Sequence, residues 1–118
     1  MTDDRLYLVH IIECIGRIRR YTVDGKESFL VDERTQDAVL RNLQTLAEST
    51  QRLNPSVRAD HAAVNWRMIG RFRNVVVHDY LTINVQRIWA IVEHELGPLE
   101  QVVREALDDL GPAEQDRD

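Results

Sequence analysis

The sequence predicts an all-α domain, an up-and-down bundle of about four main helices, on three observations. Apolar residues recur at helical rather than alternating spacing through most of the chain. Proline and glycine are scarce, with 3 and 5 residues, and they stand between the apolar segments. The length of 118 residues is typical of one domain, and no strand pair or internal repeat is evident. We therefore expect one helical domain over residues 1–110 and an acidic tail over residues 111–118.

Two long helices are predicted in the first half of the chain. The apolar face of the first consists of Leu8, Ile11, Ile12, Ile15 and Ile18. Arg17, Arg19 and Arg20 close its last turn, where positive charge favours a helix C-terminus. The second helix is expected from about Asp32 to Arg52. Its apolar stripe consists of Val39, Leu40, Leu43, Leu46 and Ala47.

A third helix is predicted to begin at Trp66, with Asn65 as its N-cap, and to continue to about Tyr80. The run Val75-Val76-Val77 has β propensity, but its flanks are helical. The last segment extends from about residue 85 to residue 110 and is capped by Asn84 or Thr82. Gly97-Pro98 either kinks this segment or divides it into two helices.

Composition and charge exclude several classes of protein. The net charge of −5 argues against a protein that binds nucleic acid over its whole surface, although it allows a small basic site. Only one of the 15 basic residues is a lysine, which reflects either genomic codon usage or selection for arginine as a phosphate ligand. A single cysteine excludes an internal disulfide. With no apolar run of membrane-spanning length and no signal peptide, we expect a soluble cytoplasmic protein.

No motif for a metal or a cofactor occurs in the sequence. The four histidines lack the HExxH spacing, and Gly70 has no GK[ST] sequence after it. Nothing marks Ser28, Ser49 or Ser56 as the nucleophile of a catalytic triad. We therefore expect no metal and no cofactor.

One short segment, residues 71–80, concentrates polar and charged side chains around three valines. Arg71, Asn74 and His78 share one face of a regular helix, and Arg73 and Tyr80 share another. Arg73 and His78 would lie about 140° apart at 100° per residue, so they converge only if the helix distorts or across two subunits. A simpler interpretation is a solvated face of Arg67, Arg71 and Arg73 paired with Glu48 or Asp79. His78 would then be a capping or hydrogen-bonding group, and Tyr80 an ordinary residue at the boundary of an amphipathic helix.

The sequence RNVVVHDY, which places Arg73, His78 and Tyr80 at the spacing R-x4-H-x-Y, resembles the motif of the HEPN superfamily and its HepT-like toxin branch. Further segments resemble the family in order: ERTQDAVLRNLQTLAES, RADHAAVNWRMIGRFRN and VQRIWAIVEHELGPLEQVV. The resemblance covers roughly residues 5–105. One departure is Asn65, which stands before Trp66 where the family has a proline.

The resemblance implies an all-α homodimer in which two motifs face a shared cleft, with metal-independent endoribonuclease activity. Arg73 and His78 would then be the catalytic residues, with Asn74, Asp79 and Arg71 in supporting roles. A histidine side chain has an ordinary pKa near 6.5, so it can gain or lose a proton near neutral pH. It can therefore act as the base or the acid when the 2′-hydroxyl of RNA attacks the adjacent phosphate. An arginine can bind that phosphate and stabilise its developing charge.

The resemblance also implies a partner. HepT-like toxins pair with a minimal nucleotidyltransferase antitoxin, in a toxin–antitoxin pair of type II or type VII character, and the antitoxin adenylylates the tyrosine of the motif. Tyr80 matches that position. An AMP group there would bring bulk and negative charge beside His78 and exclude RNA.

Two other hypotheses remain open from the sequence. A non-catalytic HEPN module would bind nucleotide or serve as the partner of a nucleotidyltransferase. A structural helical protein would use the motif only for packing. Under the leading hypothesis the substrate is RNA, and no membrane or DNA partner is expected.

Overall fold

A computed structural model describes residues 3–62, 64, 66, 67, 69, 70, 73 and 84–111. Within these residues every regular element is an α-helix, which confirms the predicted all-α class. In chain order the helices are α1 (Asp3–Tyr21), α2 (Lys26–Val31), α3 (Glu33–Gln51), α4 (Pro55–Asp60), α5 (Val85–His94) and α6 (Leu96–Leu110). Residues 66, 67, 69, 70 and 73 are helical as well.

Helix α1 lies at the centre of the bundle and runs antiparallel to both α3 and α6. At its start, Asp4 accepts a hydrogen bond from the backbone N–H of Asn54, just beyond α3. Arg5 donates to the carbonyl of Gly111, just beyond α6. At the other end of α1, Arg19 pairs with Glu100 near the start of α6. These contacts fix the direction of all three long helices.

The core lies between these three helices. Its α1 members are Leu8, Ile11, Cys14, Ile15 and Ile18, all fully buried. They pack in one cluster with Val39, Leu43, Leu46 and Ala47 of α3 and with Leu99 and Val103 of α6. Ile12, predicted on the same face, lies half-buried at the edge of the cluster. Burying an isoleucine or leucine stabilises a fold by roughly 1.5–3 kcal/mol, so α1 carries much of the stability.

Helix α3 begins and ends where the sequence predicts. The Asp32 carboxylate accepts hydrogen bonds from the backbone N–H groups of Arg34 and Thr35, at 3.1 and 3.3 Å, and from the Thr35 hydroxyl at 2.7 Å. The bonds from Thr35, with a smaller contribution from Arg34, hold the pKa of Asp32 below its ordinary value. Arg52 is the C-cap.

Two short helices were not predicted. Helix α2 follows Gly25, whose φ of 92° is a left-handed conformation that favours glycine. It buries Phe29, whose ring lies 5.4 Å from that of Trp89 in α5. Helix α4 begins with Pro55 in its first turn, after Asn54 caps the N–H of Ser56 at 3.0 Å. Gly25 and Pro55 thus each stand at the start of a helix.

The last segment is divided into two helices rather than kinked. Proline has no N–H, so Pro98 cannot donate to the carbonyl of His94, and α5 ends at that residue. Position 98 lies in the first turn of α6, where backbone N–H groups have no partner within the helix. A proline is therefore tolerated there. Asn84 is the N-cap of α5 and accepts from Gln86 N–H at 2.8 Å.

Three predicted features fall on residues that are not described. They are Asn65 as the start of the third helix, Thr82 as an alternative cap, and the tail beyond Gly111. In the described part of the chain, no helix combines the length and the apolar character that crossing a membrane requires.

Candidate functional site

Arg73 is the one residue of the predicted catalytic and supporting set that the structure describes. It is helical and half-buried, and its Nε atom is inaccessible to solvent. Trp66, Ile69 and Arg73 are spaced so that they share one face of a helix, and Ile69 on that face is buried. Arg67 lies on a different face and is exposed. Arg73 therefore does not belong to a solvated arginine face, whereas Arg67 fits that description.

The Arg73 helix, which we define as the helical residues 66, 67, 69, 70 and 73, begins at a turn centred on His61. The backbone N–H of His61 donates to the carbonyl of Arg58 at 3.3 Å. The His61 carbonyl then accepts two hydrogen bonds, from Val64 N–H at 3.3 Å and from the indole Nε1 of Trp66 at 3.0 Å. A further bond, from Trp66 N–H to the Val64 carbonyl at 3.0 Å, completes the turn. We call the described residues of this segment, 61, 62, 64 and 66, the His61 turn.

The C-terminal end of α3 contacts the same region. Arg58 donates from Nη1 to the carbonyl of Thr50 at 3.3 Å. A Cβ atom on Gly70 would lie only 3.0 Å from Nε2 of Gln51. The absence of a side chain at Gly70 thus allows the Arg73 helix to approach the end of α3 closely.

The end of α6 reaches the His61 turn from another side. His61 Nε2 lies 3.6 Å from a carboxylate oxygen of Asp109. The His61 side chain is 13% exposed and that of Asp109 is 75% exposed, so the pair lies at the protein surface. This contact links the last turn of α6 to the segment from which the Arg73 helix starts.

The remaining predicted site residues lie outside the described residues. They are Arg71, Asn74, His78, Asp79 and Tyr80. The structure consequently neither brings them together with Arg73 nor separates them from it.

A second polar cluster lies between α1 and α3. His10 Nδ1 is 2.9 Å from the Ser49 hydroxyl, and its Nε2 is 3.9 Å from the thiol of Cys14. Ser49 and Cys14 are buried, and burial raises the pKa of the Cys14 thiol above its ordinary value, against the opposing effect of Arg17. A buried serine and a protonated thiol around one histidine do not form an accessible nucleophile. We interpret this cluster as polar packing.

No group of three or more His, Cys, Asp or Glu side chains with the arrangement of a metal site occurs among the described residues. The sequence patterns predicted neither the His61 turn nor Asp109 as its neighbour. The seven-residue spacing from Trp66 to Arg73 was the available signal for this part of the site, because it places an aromatic residue and a charged one on the same helical face.

Comparisons with known proteins give a family and several relatives. The family described as "Ribonuclease HepT-like" matches residues 11–106. A protein of Caldanaerobacter subterraneus subsp. tengcongensis named "Putative RNase" is 32% identical over 108 residues, which cover 91% of this chain and 96% of the relative. The "Probable ribonuclease HepT" of Thermococcus cleftensis is 31% identical over 94 residues, covering 79% and 86%.

A longer relative occurs in Methanocaldococcus jannaschii. It is named "Gamma-glutamylcyclotransferase and putative RNase" and is 26% identical over 109 residues, which cover 92% of this chain. The chain spans about half the length of that relative, 49%. No solved structure matches the chain.

Proposed function

Because the chain belongs to the HepT-like ribonuclease family, we propose that it is a metal-independent endoribonuclease whose catalytic residues are Arg73 and His78. The observation that carries this proposal is the family match over residues 11–106, which contains the complete R-x4-H-x-Y motif in the context of a helical bundle. The names of the relatives, ribonuclease and RNase, support the same reaction class.

The position of Arg73 supports its role in the proposed reaction. A half-buried guanidinium is partly shielded from water, and charge interactions are stronger there than in bulk solvent. Arginine also presents a planar set of N–H donors that matches phosphate oxygens. Arg73 is therefore suited to bind the scissile phosphate and to stabilise the charge of the pentavalent transition state.

The proposed reaction needs no external nucleophile in its first step. A base removes the proton of the ribose 2′-hydroxyl, whose oxygen attacks the adjacent phosphorus while an acid protonates the departing 5′-oxygen. The products are a 2′,3′-cyclic phosphate and a free 5′-hydroxyl. We assign the proton transfers to His78, with Asn74, Asp79 and Arg71 orienting it or the phosphate.

A second copy of the chain completes the proposed site. His78 of each protomer faces a shared cleft, and the two histidines divide the roles of acid and base. A heterodimer in which one chain carries His78→Ala would then lose most of its activity. Full activity of that heterodimer would contradict the division of roles.

The proposed regulation uses Tyr80. A nucleotidyltransferase antitoxin transfers AMP to its hydroxyl, and the added bulk and negative charge keep RNA phosphate out of the site. The pair then acts as a toxin–antitoxin system in which the modified chain is silent.

RNA cleavage in EDTA tests the proposal, with the His78→Ala variant prepared in parallel. Intact mass first establishes that Tyr80 carries no AMP. We expect cleavage by the wild type and at least a hundredfold slower cleavage by the variant, since general acid–base catalysis contributes roughly 10²–10⁴-fold to a rate. Equal cleavage by both would indicate a contaminating nuclease.

The alternative function is a non-catalytic HEPN module that binds nucleotide or a nucleotidyltransferase. The net charge of −5 favours it, because RNA is repelled by an acidic surface. Absence of cleavage by the unmodified wild type over messenger, transfer and ribosomal RNA would support this alternative.

A further inference from the structure

Two contacts of His61 hold the start of the Arg73 helix. One is the hydrogen bond from Trp66 Nε1 to the His61 carbonyl, and the other is the approach of Asp109 to the His61 ring. Together they fix the His61 turn on two sides. Trp66 is seven residues, or about two helical turns, from Arg73 and on the same face.

We propose that Trp66 and Asp109 are positioning residues of the ribonuclease site: they fix the His61 turn and thereby set where the Arg73 guanidinium lies. This inference rests on the proposed ribonuclease function. Neither residue belongs to the R-x4-H-x-Y motif, and Asp109 is 36 residues beyond Arg73 in the sequence.

A shift of Trp66 reaches Arg73 through the helical residues that the structure describes between them. Residues 67, 69 and 70 are helical, and Ile69 is buried in the core. Misplacing a catalytic group by about 1 Å can cost roughly a hundredfold in rate, even when the change is far from the reacting atoms. Burial of Ile69 in the hydrophobic core gives the helix a second support, so loss of one contact shifts the helix without releasing it.

The second tryptophan provides a matched control for Trp66. Trp89 is also half-buried, and its Nε1 is buried without a hydrogen-bond partner among the described residues. It packs against Phe29 of α2. Trp66→Phe therefore removes an indole and a hydrogen bond of the His61 turn, whereas Trp89→Phe removes an indole alone.

Asp108 and a conservative variant provide the controls for Asp109. Asp108 is exposed and has no ion-pair partner among the residues that the structure describes. Asp108→Asn and Asp109→Asn thus change the same charge at adjacent positions. Asp109→Glu keeps the carboxylate and should restore the contact with His61.

The experiment measures kcat and KM for RNA cleavage by these variants, at a temperature at which circular dichroism shows each to be fully folded. For Trp66→Phe we expect kcat to fall roughly ten- to hundredfold, and KM to change by a smaller factor than kcat. For Asp109→Asn we expect a smaller fall, about two- to fivefold, because the contact between His61 and Asp109 lies at the surface. The kcat and KM of Asp109→Glu should be close to those of the wild type. The same holds for the two control variants, Trp89→Phe and Asp108→Asn.

Two outcomes would overturn the positioning role while leaving the ribonuclease function intact. One is a folded Trp66→Phe variant as active as Trp89→Phe. The other is an Asp109→Asn variant indistinguishable from Asp108→Asn. Failure of the proposed function would look different, because the wild type itself would not cleave RNA.

Discussion

At the scale of single residues, Gly70 shows how a small side chain serves packing. It is helical, a conformation that costs glycine more backbone entropy than alanine. Its neighbour across the interface is Nε2 of Gln51, the far end of a long and exposed side chain. The close approach is thus to a group that can move.

We therefore expect Gly70→Ala to stabilise the protein, or to leave it unchanged. Alanine gains about 0.8–1 kcal/mol over glycine within a helix, and displacement of Gln51 consumes part of that gain. Gly16→Ala in α1 is the matched control, because a Cβ there meets Arg20 at 3.7 Å, an ordinary contact. Urea unfolding should rank Gly16→Ala as the more stabilising variant. Destabilisation by Gly70→Ala beyond about 1 kcal/mol would mean that Gln51 is fixed in place.

The sequence predicted Asn84 correctly as a cap, and it placed the start of the second helix near Asp32 without assigning a cap there. Both residues cap helices because a short polar side chain can accept from the first free N–H groups. The half-burial of Arg73 is not predictable in this way, since it depends on how the helix packs. The apolar pattern that identifies a buried helical face counts only apolar residues, so it does not predict that Arg73 is half-buried beside Trp66 and Ile69.

At the scale of elements, helices α1 and α6 pack through apolar side chains in the core and through an ion pair at the edge of that core. Glu100 of α6 pairs with Arg19 of α1 and with Arg104, one turn further along α6. Burial disfavours the ionised carboxylate, but the hydrogen bonds from the two arginines outweigh it. The pKa of Glu100 is consequently lower than its ordinary value.

This lowered pKa has a defined effect on stability. A carboxyl group whose pKa is lower in the folded state stabilises the fold above its unfolded-state pKa, and the contribution is lost as pH falls through the folded-state pKa. We expect Glu100→Gln to reduce the free energy of unfolding by about 0.5–1 kcal/mol at pH 7, since the group is part-exposed. The difference should shrink as pH falls below the ordinary pKa of a glutamate, about 4.3, and on through the lower pKa of the folded state. Glu105→Gln, at an exposed position of the same helix, is the control, and thermal unfolding from pH 7 to pH 2.5 provides the measurement. A constant difference at all pH values would exclude the charge as its cause.

Element prediction succeeded where helices are long and failed where they are short. The apolar stripes of α1 and α3 repeat over several turns, which distinguishes them from any other structure. Helices α2 and α4 have six residues each, too few for a periodic pattern. Their folding depends on tertiary contacts such as Phe29 against Trp89, which a local pattern does not contain.

At the scale of the whole molecule, the proposed site requires two copies of the chain. On one regular helix Arg73 and His78 point about 140° apart. A site that combines Arg73 of one protomer with His78 of the other would remove this difficulty. The arrangement can be tested by complementation between inactive variants.

Mixing equal amounts of Arg73→Ala and His78→Ala chains should leave the preparation nearly inactive. Random exchange makes half of the dimers mixed, but each mixed dimer retains only one His78, which cannot supply both the acid and the base. Each variant alone should remain inactive as well. Recovery of about a quarter of wild-type activity after verified exchange, for example by native mass spectrometry, would show instead that one His78 suffices beside the Arg73 of the other chain.

The contact between Arg5 and the Gly111 carbonyl brings the two ends of the described chain together. Closing them with a short peptide would therefore cost little loop entropy, and new termini could be opened at the Gly25 turn. Such a circular permutant would keep α1 between α3 and α6. A domain fused after Gly111 would emerge beside Asp109 and the His61 turn, at the end of the bundle where the Arg73 helix begins.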